Sequence, residues 1–249
     1  MHKDQLLQDK CILVTGGSRG LGRALCARFS ARGANVAFNY TSDDAGAKES
    51  LALVKENGRE GLAFKVSVLD SSGLDEMVKD IESAWERIDI LVNNAGVSQP
   101  LPIALMEEED WDQLMDINAK GQFLSTRAVL RGMIRRKGGC ILNMGSLAGL
   151  RLVEAPVHYS ASKSAAKGFT EALCKEVARH GIRVNCLAPG LLEDGVGKNL
   201  PEHRLNEYVK NVALHRVGTL EEVAEFAAFL VSDRNSYMNG TTVMMDGGF

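Results

Sequence analysis

The chain predicts an α/β fold: one doubly wound, parallel, seven-stranded sheet with helices on both faces. Three observations predict it. Short runs rich in β-branched residues alternate with longer helical patterns along most of the 249 residues. Several of those runs are almost continuously apolar, as parallel strands covered on both faces must be. The first run leads directly into a glycine-rich turn that opens a helix. Strand–helix alternation sustained over this length is the pattern of a parallel sheet built by right-handed crossovers.

In order, CILVT at 11–15 reads as the first strand and 20–32 as the first helix. NVAFNY at 35–40 is the second strand, and the helix over 43–57 begins at Asp43 and Asp44, acids suited to a first turn. GLAFKV at 61–66 and a helix over 71–86 follow, then IDILVN at 88–93 and one long helix over 107–136. GCILNM at 139–144, a helix over 157–180 and IRVNCL at 182–187 complete the next units. In the last helix, 219–232, Val223, Phe226, Ala227 and Leu230 recur at helical spacing, and TTVMMD at 241–246 is the seventh strand. Residues 190–218 break the alternation. They are polar, contain Gly195, Gly197 and Pro201, and predict a lid or substrate loop. No linker-like tract or internal repeat divides the chain, so residues 1–249 read as a single domain.

A charged share of 24% and a net charge of −3 give no electrostatic case for nucleic acid or an anionic membrane as partner. No apolar run is long enough to span a bilayer, and the polar start MHKDQLLQDK has no signal-peptide core. Cys11, Cys26, Cys140, Cys174 and Cys186 are scattered through mostly apolar segments without paired spacing. They read as reduced core thiols of a cytoplasmic protein. The five histidines have no metal-ligand spacing, and no metal is expected. His158 reads as a structural residue, with a substrate contact as the alternative.

TGGSRGLG at 15–22 follows the first strand. Gly16, Gly20 and Gly22 let the backbone turn tightly and let a pyrophosphate approach the helix N-terminus, where free N–H groups favour anions. The spacing is G-x-x-x-G-x-G. Far along the chain, Tyr159 and Lys163 stand at i, i+4, one above the other on a helix face. An ammonium there favours the phenolate and makes a proton donor and acceptor suited to alcohol–ketone chemistry.

With NNAG at 93–96, Asn118, Ser146 and PG at 189–190 in the same order, the chain resembles the short-chain dehydrogenase/reductase family over about residues 8–249. The resemblance implies a Rossmann-type fold and a nicotinamide cofactor. It implies a catalytic tetrad of Asn118, Ser146, Tyr159 and Lys163. Tyr159 would exchange a proton with the substrate oxygen, Ser146 would orient that oxygen, Lys163 would hold the nicotinamide ribose, and Asn118 would anchor a relay water. Cofactor contacts would come from Gly16, Gly17, Ser18, Arg19, Gly20, Leu21 and Gly22. Asn94, Ala95 and Gly96, Tyr159 and Lys163, and Pro189, Gly190 and Leu192 would supply the rest of the nicotinamide side. Ser67 and Val68 would face the adenine, although the family has Asp or Asn at the position of Ser67. After the second strand stand Asn39, Tyr40 and Thr41, where NAD-dependent members carry an acid, while Arg19 supplies a cation for a 2′-phosphate. The expected cofactor is therefore NADP(H).

Within that family the chain is most similar to 3-oxoacyl-acyl-carrier-protein reductases, in TGGSRGLGRAL, GIRVNCLAPG and MNGTTVMMDGGF. The resemblance implies reduction of a 3-oxoacyl thioester, on acyl-carrier protein or coenzyme A, and a homotetramer. Two features depart from that group: LLEDGVGKNLPEHR after Gly190, and His180 where a carrier-contacting Arg often sits. Arg136, Lys137 and Arg179 remain as basic residues for an acidic carrier. Another small ketone or alcohol as substrate stays open, as does a dinucleotide-binding regulator without turnover.

Overall fold

The computed structural model describes residues 5–195 and 200–249. Gly197 of the predicted lid lies outside them. Seven parallel strands form one sheet in the order β3-β2-β1-β4-β5-β6-β7. They are β1 (Cys11–Val14), β2 (Asn35–Tyr40), β3 (Gly61–Lys65), β4 (Ile90–Asn93), β5 (Gly139–Met144), β6 (Ile182–Pro189) and β7 (Thr242–Met245). The chain winds outward from β1 to β3, then returns to place β4 on the other side of β1. That reversal opens a crevice at the C-terminal ends of β1 and β4, the place where such sheets bind ligands.

Both faces of the central strands are buried, which explains their continuous apolar runs. On one side Ile12 and Val14 of β1 meet Leu25 and Phe29 of α1 (Gly20–Ala31) and Val223 and Leu230 of α8 (Leu220–Val231). On the other, Cys11 and Leu13 join Leu74, Met77 and Ile81 of α3 (Ser71–Trp85), Met133 of α5 (Gly121–Arg136), and Leu173 and Val177 of α6 (Val157–Val177). The period of two along β1 divides the two cores. All five cysteines are buried and unpaired. Burial raises the Cys140 thiol to about 11, which keeps it protonated and unreactive.

Helix starts follow local capping chemistry. Asp43 accepts from Gly46 N–H at 2.9 Å at the start of α2 (Asp44–Glu56), and Asp70 accepts from Gly73 N–H at 3.0 Å before α3. Thr219 and Glu222 form a reciprocal capping box on α8.

Two helix predictions need correction. The helix expected over 107–136 is α4 (Glu108–Met115), a π turn (Asp116–Lys120) and α5. One extra residue enters the helical ladder there, and no apolar periodicity reports such an insertion. The helix expected over 157–180 ends as α6 at Val177, and a 3-10 turn, Ala178–His180, closes it before Gly181 at φ 69°. Among its described residues the irregular segment contains one helix, α7 (Glu202–Asn211), and a parallel bridge from Leu192 to Gly218. Among the described residues, no helix is long and apolar enough to cross a membrane.

Candidate active site

Tyr159 lies in the first turn of α6, and the fold brings Ser146, Lys163 and Asn118 to the same end of the sheet. Lys163 Nζ donates to the Met144 carbonyl at 2.8 Å, tying α6 to the last residue of β5 two positions before Ser146. The ammonium also stands 5.8 Å from the centre of the Tyr159 ring. Ser146 caps the short turn Leu147–Gly149, accepting from Ala148 N–H at 3.2 Å. That turn packs directly on α6: a Cβ at Gly149 would lie 2.5 Å from the Lys163 carbonyl carbon, and Ser164 Oγ donates to the Gly149 carbonyl at 2.9 Å.

Asn118, buried in the π turn, clamps two neighbours at once. Its Oδ1 accepts from Val97 N–H at 2.8 Å, and its Nδ2 donates to the Val97 carbonyl and to Ser162 Oγ at 2.9 and 3.0 Å. Ser162 Oγ in turn donates to the Tyr159 carbonyl at 2.8 Å. The carboxamide thus fixes the loop after β4 and the turn that carries Tyr159. A Cβ at Gly96 would sit 3.2 Å from Asn118 Oδ1 and 3.6 Å from Lys163 Nζ, so these three positions form one wall.

The glycine-rich turn is built from both sides. Thr15 Oγ1 accepts from the N–H groups of Asn94 and Ala95 at 3.0 and 2.9 Å, and Asn94 Nδ2 donates to the Thr15 carbonyl at 2.9 Å. Gly16 has φ +71°, and a Cβ at Gly22 would lie 2.0 Å from the Gly16 carbonyl oxygen. Only glycine permits that approach of the turn to the start of α1. The space over Gly20, at φ +52°, is open: among the described residues, Asp194 Oδ2 alone comes within 4 Å of where a Cβ would stand, at 3.7 Å. With that one carboxylate at its edge, the helix N-terminus is otherwise clear and fits the pyrophosphate of a dinucleotide.

The likeness to known proteins agrees with this geometry. Residues 16–249 match the family described as Enoyl-(Acyl carrier protein) reductase. A 3-oxoacyl-(acyl-carrier-protein) reductase of Chlamydia trachomatis is 37% identical over 243 residues, covering 98% of each chain. One of Thermotoga maritima is 38% identical, over 97% of this chain and 98% of its own. Among solved structures, a short-chain dehydrogenase/reductase from Serratia marcescens superposes with a TM-score of 0.91 at 32% identity, over 98% of both chains. The chain belongs to the short-chain dehydrogenase/reductase family. It is therefore an oxidoreductase of a family that uses a nicotinamide cofactor. A 3-oxoacyl-(acyl-carrier protein) reductase from Brucella melitensis superposes with a TM-score of 0.93 at 30% identity, over 99% of this chain and 93% of that one.

Set against the family's cofactor, the remaining expected contacts divide into open and occupied positions. Arg19, beside Gly20, is exposed and pairs with no carboxylate among the described residues. Ser18 is buried, and a Cβ at Gly17 would strike the Phe38 side chain at 2.5 Å. Leu21 packs partly against the core. Asn39 is buried and fully engaged by backbone: Oδ1 accepts from Gly16 N–H at 3.1 Å, and Nδ2 donates to the Val66 carbonyl at 2.7 Å. It shapes the turn from beneath. Tyr40 is half-buried at the end of β2 and Thr41 is exposed. Ser67 Oγ accepts from Leu69 N–H at 3.2 Å, and Val68 is buried against Gly121. Pro189 ends β6, and Gly190 N–H donates to the Met245 carbonyl at 2.9 Å.

Two participants carry no motif of their own. Arg23 reaches back along α1 to donate to the Ser18 carbonyl at 2.7 Å, and its guanidinium pairs with Glu49 at 2.6 Å. It locks the glycine-rich turn to α2. Asp194 stands over Gly20, where only tertiary packing brings it. His158, the residue before Tyr159, is fully buried. Neither of its ring nitrogens has a hydrogen-bond partner among the described residues.

Proposed function

We propose that the protein is an NADPH-dependent reductase that converts 3-oxoacyl thioesters, on acyl-carrier protein or coenzyme A, to 3-hydroxyacyl products. The observation that carries the reading is the Lys163–Met144 hydrogen bond of 2.8 Å, which locks the helix bearing Tyr159 onto the strand that delivers Ser146. Two hydroxyl groups on adjoining, mutually fastened elements suit one carbonyl oxygen. A bound nicotinamide supplies the hydride to the carbonyl carbon. Tyr159 donates its hydroxyl proton to the oxygen, while Ser146 donates a hydrogen bond and orients it. Lys163 attracts the negative charge that develops on the tyrosine oxygen and holds the ribose hydroxyls. Asn118 keeps the Tyr159 turn and the Val97 loop in register, and the relay water proposed for it would return a proton through Lys163.

Charge supports the NADPH reading. The acids near the end of β2 are both in use: Asp43 caps α2, and Asp44 pairs with Lys65 at 2.8 Å. Lys65 and then Tyr40, as hydrogen-bond donors, hold Asp44 below the ordinary carboxylate range. Neither acid is spare for a ribose 2′-hydroxyl, whereas the exposed Arg19 offers a cation suited to a 2′-phosphate. The 3-oxoacyl substrate is supported by the reductases of Chlamydia and Thermotoga. The matched family's description favours a second reading, reduction of a 2-enoyl thioester.

Purified protein should oxidise NADPH with 3-oxoacyl thioesters and much more slowly with 2-enoyl thioesters. Tyr159→Phe should lower kcat by about 10²- to 10⁴-fold. Faster turnover of the enoyl substrate replaces the first reading with the second. Full activity in Tyr159→Phe removes the mechanism.

A further inference from the structure

The lid helix α7 is fastened to the strand exit and to the chain terminus through one side chain, Tyr208. Its hydroxyl accepts a hydrogen bond from Leu191 N–H at 2.9 Å. Its ring stacks on Phe249, the last residue, with centroids 5.0 Å apart and planes inclined by 24°. Beside this stack, Ala213 N–H donates to the Gly248 carbonyl at 3.2 Å and Leu214 N–H to the Gly247 carbonyl at 3.1 Å. A Cβ at Gly190 would stand 2.6 Å from the Tyr208 hydroxyl and 3.1 Å from Asp246 Cα. Strand exit, lid and terminus therefore meet with no room for another atom.

Beyond β6 the backbone of 190–192 has lost its ladder on one side. Gly190 N–H still reaches Met245, but Leu191 is held by Tyr208 at its N–H and by Gly218 N–H at its carbonyl, 3.0 Å away. Without the Tyr208 oxygen, the Leu191 amide has no acceptor. Without Phe249, the ring that carries that oxygen loses the surface behind it. At the other end of α7, Arg204 pairs with Glu154, in the loop after Ser146. The lid thus spans from the catalytic serine's loop to the end of the chain.

We infer that Tyr208, backed by Phe249, is a positioning residue for the 190–192 backbone, so that the Tyr208–Phe249 stack sets the wall on which the reactive end of the cofactor rests. The inference depends on the functional reading above and on the expectation that Leu192 stands on the nicotinamide side of the cofactor. It assigns to the last residue a part in cofactor geometry rather than in general stability.

The test uses Tyr208→Phe, Phe249→Ala and the conservative Phe249→Tyr in the full chain. Hydrogen exchange of the Leu191 amide should speed up several-fold, to about tenfold, in the first two, as loss of one hydrogen bond or one aromatic stack predicts. NADPH should bind more weakly to both by a similar factor. Binding of 2′,5′-ADP, which has no nicotinamide, should stay at the wild-type value. Phe249→Tyr should restore both readouts. Equal weakening of NADPH and 2′,5′-ADP, or unchanged Leu191 exchange, overturns the inference and leaves the functional reading standing. Wild-type protein that binds neither ligand overturns both.

Discussion

Lys163 and Arg19 are the two cations around which the proposed chemistry is arranged, and they are held differently. Lys163 is half-buried, and its bond to the Met144 carbonyl makes it part of the frame as well as of the proposed reaction. Arg19 is exposed at the start of α1 and is positioned only by the turn. Arg19→Ala should therefore leave folding intact and raise KM for NADPH roughly tenfold to a hundredfold, the worth of a charge-assisted hydrogen bond. KM for NADH should change little, and steady-state kinetics with both cofactors reads the difference. Equal losses would sink the 2′-phosphate assignment. Asp194 acts in the opposite sense. Its carboxylate lies over Gly20, 3.7 Å from where a Cβ would stand, at the helix end proposed for pyrophosphate. Like charges repel there. Asp194→Asn should tighten NADPH binding several-fold, and a fluorescence titration that finds weaker binding refutes that placement.

Among the elements, the π turn and the last helix carry the most local information. The π turn sets Asn118 facing Val97 and Ser162, so one carboxamide couples the loop after β4 to α6. Asn118→Ala removes three hydrogen bonds in a buried place, leaving Val97 N–H and Ser162 Oγ to find new partners. It should cost about 1–3 kcal/mol in urea unfolding as well as lowering kcat. On α8, Thr219→Ala should cost about 1 kcal/mol by removing the N-cap. Its partner Glu222 gives a pH signature. Two hydrogen bonds from Arg216, at 2.6 and 2.8 Å, come first among the causes that hold its carboxyl at about 2, against 4.5 when free. A carboxyl whose folded value is depressed stabilises the fold above its unfolded value and loses that contribution as pH falls through the folded one. The gap in melting temperature between wild type and Glu222→Gln should therefore be full near neutral pH and shrink as pH falls from about 4.5 towards 2. A gap that stays constant across that range excludes the ion pair as its source.

For the whole molecule, four of the exposed apolar residues lie on α4, α5, α8 and the edge strand β7. Trp111 and Phe123 stand on α4 and α5, and Phe229 and Met244 on α8 and β7, each between 38% and 45% exposed. β7 is also a free sheet edge, which offers unpaired backbone groups. The homotetramer expected from the resemblance would cover both surfaces, and light scattering should then give about four times the 27.0 kDa chain mass. Phe229→Glu should shift that mass downward. A monomeric wild type rules out the assembly.

Much of this was legible from neighbours along the chain. Apolar runs and helical periods placed every strand and most helices, because both patterns are set by residues one to four positions apart. The glycines of the turn and the i, i+4 pair of Tyr159 and Lys163 are local in the same way. The π turn was not legible, since an inserted residue leaves no mark in composition. Asn39 stood in the right strand for cofactor contact, but it is turned inward by Gly16 and Val66, which lie 23 and 27 residues away. The sequence by itself determined the order of elements, the anion-favouring turn and the i, i+4 placement of Tyr159 and Lys163, all consequences of short-range geometry. Only the tertiary structure decided which groups face them: Met144 against Lys163, Asp194 over Gly20, and Phe249 behind Tyr208. Those contacts join distant stretches, and sheet order and register alone bring them within reach.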